Sequence, residues 1–232
     1  MFPRFLIEEY VRNYLREDLS LGDITPTKDV EVEGEIIAKG KGIVAGINVV
    51  KIVFEILNVE VVRSIKDGDR VDTGRGVMRI KGNARDIMMG ERTALNILMW
   101  MSGIAMLTKK MVRMARKVNP TIRIAATRKT TPGFRLFEKL AVAVGGGDPH
   151  RHSLGDGIMI KDNHITIAGS IEEAIKMVRK SSFTKKIEIE VKNIEDALKA
   201  AQSGVDIIMF DNVTPEEISE AVKKAKESRT SG

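Results

Sequence analysis

Three similar stretches in the second half of the chain decide its fold: DGIMIKDNHITIAG at 156–169, KIEIEVKNIEDA at 186–197 and VDIIMFDNVTPEE at 205–217. In each stretch a short apolar run leads into a polar cluster and then into a segment with helical spacing. The stretch TIRIAATRKTTPG at 121–133 begins in the same way. Strand, polar loop and helix in repetition are typical of parallel βα units. The sequence therefore predicts four such units.

The polar clusters after these four apolar runs are expected to meet at one place. In parallel sheets and barrels, ligands bind at the carboxyl ends of the strands. The following helices have clear start signals, such as Ser170 before IEEAIKMVRK and Thr214-Pro215 before EEISEAVKKAKE. We therefore expect one binding site built from the loops of several units.

The first half of the chain predicts a small α/β sandwich. Near its start, apolar residues recur every three or four positions, which predicts a helix. The pattern then predicts strands at 30–37, 59–63 and 76–81 and a helix over 47–57. Beyond them an apolar segment runs to residue 107, and Ser102 and Gly103 within it predict two consecutive helices. Seven methionines at helical spacing between Met88 and Met114 indicate core packing or an oligomer contact.

Composition favours a folded protein with neither a membrane nor a nucleic-acid partner. In 232 residues a hydrophobic content of 43% is enough for a core, and the net charge of +6 is modest. Aromatic residues make up only 4%, whereas nucleic-acid interfaces usually stack bases on aromatic rings beside a basic stripe. Cysteine is absent, and no apolar stretch reaches the roughly 20 residues that span a bilayer. We expect a soluble, cytoplasmic protein.

The first two polar clusters and the connection between them are rich in cationic and imidazole side chains: Arg128, Lys129, His150, Arg151, His152, Lys161 and His164. Several cations in one cleft serve to hold an anion, because each charge-assisted hydrogen bond contributes about 1.5 to 3 kcal/mol. The alternative is a chance gathering of surface charge. For Arg135 and Lys139 taken singly, a solvated helix face is the preferred interpretation.

Carboxylates dominate the last two clusters. Glu188 and Glu190 alternate along the third predicted strand and so share one face, and Asp211 directly follows the fourth. Two carboxylates at adjacent strand ends suit a hydrated divalent ion or sugar hydroxyls. The triplet Gly145-Gly146-Gly147 lacks the phosphate-loop pattern and is interpreted as a flexible turn. Cations beside carboxylates, without a nucleophile or a nicotinamide fingerprint, indicate transfer of a phosphorylated sugar group.

At these residues the sequence resembles the quinolinate phosphoribosyltransferase family. The matching motifs follow family order across nearly the whole chain: EDLSLGDIT at 17–25, GERTALNIL at 90–98, TRKTTPGFR at 127–135, EKLAVAVGGGDPHR at 138–151, IKDNHI at 160–165, IEIEVKN at 187–193 and MFDNVTPEEI at 209–218. The resemblance implies an N-terminal α/β sandwich with dimer-forming helices over 1–103. It also implies an incomplete, open TIM-like α/β barrel carrying the active site over 104–232.

The resemblance further implies the reaction. Quinolinate and phosphoribosyl pyrophosphate would be converted into nicotinate mononucleotide, pyrophosphate and carbon dioxide, a step in NAD synthesis. The substrate-binding residues implied are Arg92, Thr127, Arg128, Lys129, His150, Arg151, Lys161, Glu190 and Asp211. Of these, Lys129 is matched to a lysine facing phosphoribosyl pyrophosphate. Glu190 and Asp211 are matched to the carboxylates that bind ribose hydroxyls and Mg²⁺, directly or through water, and these three residues are implied to be catalytic.

Two further implications concern assembly and the chain end. Arg92 matches an arginine offered to the neighbouring subunit, so a homodimer with shared active sites is implied, and assembly beyond the dimer stays open. His152 stands where an aromatic residue is more usual in the family. The chain ends at SRTSG, before strands that bind the sugar phosphate in family members, so we expect weak or absent turnover.

Three rival functions stay open at this point. The first is a related phosphoribosyltransferase for another aromatic acid, as in molybdate-operon relatives of the family. The second is an inactive, truncated scaffold that keeps phosphate binding. Affinity for quinolinate against nicotinate tests the first, because only a dicarboxylate uses the full set of cations. Mg²⁺-dependent binding of phosphoribosyl pyrophosphate tests the second. A basic RNA-binding domain, the third, predicts RNA affinity that falls steeply with salt.

Overall fold

The computed structural model of the chain describes residues 2–25 and 27–230, with side chains up to Ala225 in the last helix. The chain divides into two compact units, Met1–His150 and Arg151–Gly232. The last two residues of the SRTSG end lie outside the described residues. No helix within the described part of the chain is long and apolar enough to cross a membrane.

The first unit contains the predicted α/β sandwich and continues beyond it to His150. Its elements are α1 (Arg4–Leu19), β1 (Glu31–Ile37), β2 (Gly42–Ile43), α2 (Ile47–Ile56), β3 (Glu60–Ser64), β4 (Arg70–Val71), β5 (Gly76–Asn83), α3 (Ala84–Val118) and α4 (Arg135–Val144). Strands β1, β5 and β3 form an antiparallel sheet in that order, and β2 pairs with β4. The predicted strands at 30–37, 59–63 and 76–81 correspond to β1, β3 and β5, and the helix predicted over 47–57 corresponds to α2. All four are confirmed to within two residues.

One apolar core joins this sheet to the helices. Helix α2 supplies its most deeply buried part, because Val50, Val53 and Phe54 are fully enclosed. The start of α2 is capped from a distant turn: the Asp67 carboxylate accepts hydrogen bonds from the amides of Gly46 and Ile47, at 2.7 and 2.8 Å. Two amides that the helix leaves without a partner are thereby satisfied.

Helix α3 is a single helix of 35 residues, so the predicted break into two helices is wrong. A glycine inside a helix costs about 1 kcal/mol relative to alanine, but burial of one helix face outweighs that cost. Around Gly103, Met101 and Ala105 are buried, and the Ser102 hydroxyl accepts a hydrogen bond from the Ala45 amide at 3.0 Å. The predicted domain boundary at 103/104 falls inside this helix and stays a prediction.

The methionines of α3 divide between two roles. Met101 lies in the core, whereas five others are exposed: Met88, Met99, Met106, Met111 and Met114. Core packing therefore explains only a small part of the pattern. The remaining methionines leave an apolar stripe along the outside of α3.

The stretch at 121–126 is not a strand, which corrects one of the four predicted units. Its only ladder contact among the described residues is an isolated parallel bridge between Ala125 and Asp148. The next hydrogen bond of a parallel ladder would join the His150 amide to the Ala126 carbonyl, but the His150 amide donates to the Asp148 carboxylate at 2.8 Å and the Ala126 carbonyl accepts from the Lys139 ammonium. The pairing therefore stops after one bridge.

The second unit contains the other three predicted βα units. Its elements are β6 (Ile158–Ile160), α5 (Asp162–Ala168), α6 (Ile171–Arg179), β7 (Ile187–Val191), α7 (Ile194–Gln202), β8 (Ile207–Phe210) and α8 (Pro215–Thr230). Strands β6, β7 and β8 form a parallel sheet in that order. The Ser170 cap is confirmed, since its hydroxyl accepts from the Glu173 amide at 3.2 Å. Among the described strands the sheet does not close into a barrel.

Replacing Asp67 tests the capping of α2. We expect Asp67→Ala to lower the free energy of unfolding by about 1 to 2 kcal/mol, because two helix-start amides lose their acceptor. Urea denaturation followed by circular dichroism measures the change. Asp72→Ala is the matched control, since its carboxylate is 81% exposed and lies 3.6 Å from Lys41. Equal stability of the two variants would contradict the capping role.

Candidate functional site

In the first unit, two candidate segments leave the Ala125–Asp148 bridge side by side. The Ala126 amide donates to the Asp148 carbonyl at 2.9 Å, and the Asp148 amide donates to the Ile124 carbonyl at 2.8 Å. Arg128 follows Ala126 by two residues, and His150 follows Asp148 by two. Because the two segments are parallel, Arg128 and His150 emerge at the same end.

Arg128 carries an unsatisfied donor. Its side chain is half-buried, and its Nε atom is buried without a hydrogen-bond partner among the described residues. A buried donor left unpaired costs about 1 to 3 kcal/mol, so native proteins rarely leave one without a reason. An anionic oxygen beside this guanidinium would satisfy it. The neighbouring Thr127 and Lys129 are exposed, and the Thr127 hydroxyl accepts from the Lys129 amide at 3.2 Å.

His150 has a strained backbone. Its φ is 52°, in the left-handed region that residues other than glycine seldom adopt. The Asp148 carboxylate accepts from the His150 amide at 2.8 Å and lies 3.3 Å from the Arg123 guanidinium. Strain of this kind persists only where surrounding contacts hold it, and it gathers at functional sites.

Lys139 and Arg135 support this loop, so a solvated helix face is the wrong interpretation for both. Lys139 is 1% exposed, and its ammonium donates to the Ala126 carbonyl at 2.7 Å and to the Pro149 carbonyl. Half-buried Arg135 donates from Nε to the Thr130 hydroxyl at 2.9 Å. Both side chains bind protein groups around the segments that carry Arg128 and His150.

The three consecutive glycines after α4 allow close packing, which corrects the interpretation as a flexible turn. A Cβ on Gly145 would lie 2.6 Å from the Ala105 carbonyl oxygen, and one on Gly147 would lie 2.7 Å from the Thr108 Cγ2. Gly146 has a φ of +84°. The end of α4 therefore approaches α3 more closely than side chains would permit.

Arg92 lies on α3, beside a cleft of about 610 Å³. Residues of α1, α3 and the loop before α4 line this cleft, among them Tyr14, Asp18, Arg92, Trp100 and Thr131. The Tyr14 hydroxyl donates to the Gly133 carbonyl at 2.6 Å, and burial raises the pKa of Tyr14 above its usual value. The tyrosine therefore stays a hydrogen-bond donor, and it fixes the end of the loop that begins at Thr127.

In the second unit, three predicted residues lie at one edge of the parallel sheet. Lys161 follows β6, Glu190 lies near the end of β7, and Asp211 follows β8. The Lys161 ammonium is 2.6 Å from Glu190 Oε2, and the Asp211 amide donates to the Val191 carbonyl at 2.9 Å. The strand-end rule thus brings these three together as predicted.

Lys192 belongs to the same edge, although the sequence reasoning missed it. Its ammonium lies 3.0 Å from Asp162 Oδ2. Its pKa is raised chiefly by the hydrogen bond and charge of Asp162, with smaller contributions from Asp211 and Glu190. The pKa of Asp162 is lowered mainly by the hydrogen bond from Lys192. The position could have been found, because Lys192 directly follows the predicted strand.

Arg151 and the turn that follows it have contacts within this unit. Arg151 donates to the Gly157 carbonyl at 3.2 Å, and Asp156 organises the next turn by accepting from the His152 and Ser153 amides, at 2.7 and 2.9 Å. Those bonds hold the pKa of Asp156 below its usual value.

Two further predicted residues, His164 and Glu188, lie next to members of the Lys161–Glu190 pair in the sequence-local structure of α5 and β7. His164 Nδ1 accepts from the Lys161 amide at 2.9 Å, across the start of α5. Glu188 is 8% exposed within β7, and it lies two residues before Glu190, on the same face of the strand.

Glu190 and Asp211 fit Mg²⁺ better than a metal that needs a complete protein cage. Mg²⁺ is usually held by one or two carboxylates and completes its shell with water and substrate phosphates. The side chains described in the structure include no group of three or more histidine, aspartate or glutamate residues arranged around a metal position. A pair of carboxylates at adjacent strand ends meets the requirement for Mg²⁺.

Comparison with known proteins gives a consistent result over both halves of the chain. The family models described as quinolinate phosphoribosyl transferase, N-terminal domain and C-terminal domain, match residues 22–102 and 104–231. A protein of Archaeoglobus fulgidus named probable nicotinate-nucleotide pyrophosphorylase [carboxylating] is 56% identical over 207 residues, which cover 88% of this chain and 79% of the relative. A protein of the same name from Methanothermobacter thermautotrophicus is 47% identical over 215 residues, covering 90% and 77%.

Solved structures are similar along most of the chain. The nicotinate-nucleotide pyrophosphorylase of Francisella tularensis has a TM-score of 0.90 at 34% identity and covers 98% of this chain and 82% of its own. That of Ehrlichia chaffeensis has a TM-score of 0.88 at 35% identity, covering 97% and 83%. These neighbours confirm the predicted fold class of a sandwich followed by an open α/β barrel.

Proposed function

Because this chain belongs to the quinolinate phosphoribosyl transferase family, we propose that it transfers the phosphoribosyl group of phosphoribosyl pyrophosphate to quinolinate. The products are nicotinate mononucleotide, pyrophosphate and carbon dioxide, so the enzyme acts in NAD synthesis. Within the structure, one observation carries this proposal: the buried, unpartnered Nε of Arg128 beside the strained backbone of His150. A substrate with two carboxylates is suited to such a cationic group.

The rival functions are less favoured. The curated relatives that match at 56% and 47% identity are named for the carboxylating reaction. They give no support to another aromatic acid or to a scaffold without activity. The buried donor of Arg128 also argues for a bound anion rather than for an inert surface.

We assign roles to the residues of each unit separately. In the first unit, Arg128 and His150 bind the quinolinate carboxylates, Thr127 lies beside them, and Lys129 faces phosphoribosyl pyrophosphate. Lys129 suits that role because its side chain is exposed at the tip of an anchored loop.

In the second unit, Arg151 and Lys161 bind the carboxylates and the nearby phosphate, and Glu190 and Asp211 bind the ribose hydroxyls. The ion pair of 2.6 Å with Glu190 supports this assignment, since it keeps the Lys161 ammonium at the strand end before substrate arrives. Asp211 is held by the backbone at the end of β8.

The chemistry needs positioning and charge rather than a covalent intermediate. As pyrophosphate departs, the anomeric carbon becomes positively charged, and carboxylates near the ribose stabilise that charge. The pyridine nitrogen of quinolinate forms the new bond to the anomeric carbon. Its positive charge then stabilises the carbanion left on the neighbouring ring carbon when carbon dioxide leaves, and that carbon takes up a proton from water. Glu190 and Asp211 would hold Mg²⁺, which neutralises charge on the departing pyrophosphate. Lys129 adds a cation for the same group.

A homodimer with shared active sites is part of the proposal. The outside of α3 exposes a stripe of large apolar side chains: Met99, Trp100, Met106, Leu107, Met111 and Met114. Exposed apolar patches of this kind are typical of protein interfaces, and a second copy of the chain would cover the stripe symmetrically. Arg92 lies on the same helix, so it would be carried to the partner subunit. Cytoplasmic localisation stays a prediction.

The central test is product analysis. Under single-turnover conditions with excess protein, we expect nicotinate mononucleotide to form from quinolinate, phosphoribosyl pyrophosphate and Mg²⁺. Chromatography detects the product even where turnover is slow. Nicotinate replaces quinolinate in the control and should give no product. Product formed with nicotinate but not with quinolinate would identify a different phosphoribosyltransferase.

Arg128→Ala tests the acid-binding role of the first unit. We expect the dissociation constant for quinolinate, measured by calorimetry, to rise at least about tenfold, because charge-assisted hydrogen bonds are lost. Arg116→Ala is the control, since Arg116 is exposed near the end of α3. Unchanged quinolinate affinity in Arg128→Ala would remove Arg128 from the site.

Mixed subunits test the shared site. Arg92→Ala and Lys161→Ala should each lose activity, and their co-expressed mixture should regain about one quarter of the wild-type value. That fraction follows because half of the dimers are mixed and each mixed dimer keeps one intact site of two. A mixture of Lys161→Ala with a double variant that carries both Arg92→Ala and Lys161→Ala serves as control and should stay inactive. Failure of the first mixture to regain activity would argue against shared sites.

A further inference from the structure

The buried ammonium of Lys139 has no part in the proposed chemistry, yet its surroundings are unusual. Lysine is almost never fully buried, because its charge loses hydration. Lys139 is 1% exposed, and its Nζ donates to two backbone carbonyls, those of Ala126 and Pro149. These two backbone oxygens are therefore hydrogen-bond acceptors for the buried charge.

The two carbonyls lie where the parallel pairing of their segments ends. Ala126 and Asp148 are still joined by a hydrogen bond of 2.9 Å, but the His150 amide, which would be the next donor of this ladder, donates to the Asp148 carboxylate instead of the Ala126 carbonyl. Beyond this point the backbone ladder cannot hold the segments together. Lys139 bridges them there, one residue before Thr127 on one side and one residue before His150 on the other.

The neighbouring residue Glu138 holds the far end of the same loop. Its Oε2 accepts from the Thr131 amide at 3.3 Å, and its Oε1 accepts from the Trp100 indole at 3.1 Å. Two consecutive residues of α4 thus fix the loop of residues 127–131 at both ends. Since α4 packs closely on α3 through Gly145 and Gly147, the anchor is rigid.

The loops that Lys139 joins carry two unfavourable features. Arg128 keeps a buried donor without a partner, and His150 keeps a left-handed backbone. Features of this kind persist only where several surrounding contacts hold the conformation in place. A cation that bonds to both segments is a contact of that kind.

We propose that Lys139 is a positioning residue: its ammonium sets the Arg128 and His150 segments at the spacing that binds the acid, before substrate arrives. This inference rests on the proposed function, because it takes Arg128 and His150 as the acid-binding pair. Preorganisation of this kind raises affinity by lowering the cost of ordering the site on binding.

Lys139→Met, which keeps the length of the side chain and removes its donors, tests the proposal. Calorimetry should give a dissociation constant for quinolinate at least about tenfold higher, against less than threefold for phosphoribosyl pyrophosphate with Mg²⁺. Lys110→Met, at an exposed position of α3, is the matched control and should leave both values unchanged. Unchanged quinolinate affinity in a folded Lys139→Met variant, or equal loss for both ligands, would overturn the proposal.

Amide hydrogen exchange of the wild-type protein tests the same proposal without any variant. The amides of Ala126, Asp148 and His150 should exchange slowly in the free protein, and quinolinate should change their rates little. Fast exchange that slows only after quinolinate is added would overturn preorganisation, even where Lys139→Met fails to fold. Failure of the proposed function gives a different result, because the wild-type protein would then not bind quinolinate at all.

Discussion

Parallel pairing is the constraint on which both groups of candidate residues depend. In a parallel sheet all strands deliver their carboxyl ends to the same edge. Lys161, Glu190 and Asp211 follow or end three such strands, and the ion pair of 2.6 Å between the first two is a direct result. In the first unit a single parallel bridge does the same for Arg128 and His150. Charge alone would spread such residues over the surface.

Charged side chains make different kinds of contact in the two units. In the first unit the backbone is held by a buried cation, Lys139, and by carboxylates such as Asp148 and Glu138 that accept backbone amides. In the second unit Arg151 and Asp156 also bind backbone groups, but at the edge of the sheet charged side chains pair with one another, as Lys192 does with Asp162. Contacts with the backbone fix loops, whereas the Lys192–Asp162 pair keeps its charges exchangeable, because exposed ion pairs are weak and open easily.

Much of the architecture could be predicted because local patterns and global packing agree. The alternation in β1, the Ser170 cap and the strand-end positions of Lys161 and Glu190 all depend on nearby sequence. The failures came from tertiary effects. The stretch at 121–126 has strand composition, but the His150 amide that would continue its pairing donates to the Asp148 carboxylate instead. Gly103 has a breaking tendency, but the burial of its neighbours keeps α3 intact.

The candidate site was harder to predict where a residue type that is usually exposed is buried. Lys139 looked like a surface lysine, although Leu136 and Val142, three positions away on either side, put it on the apolar face of α4. That spacing was an available signal. The buried donor of Arg128 has no counterpart in the sequence, because only the folded surroundings decide which of its nitrogens lose water. Lys192 was visible by position and was overlooked because the third cluster appeared acidic.

The unbroken course of α3 has a consequence for protein engineering. The two family models meet at residues 102 and 104, which lie in the middle of this helix rather than in a linker. A chimera that joins halves of two relatives at that junction would splice two half-helices inside the hydrophobic core. Its success would depend on whether Met101 and Ala105 meet compatible neighbours, since both are buried on the same side of the helix. A crossover in a surface loop would avoid that requirement.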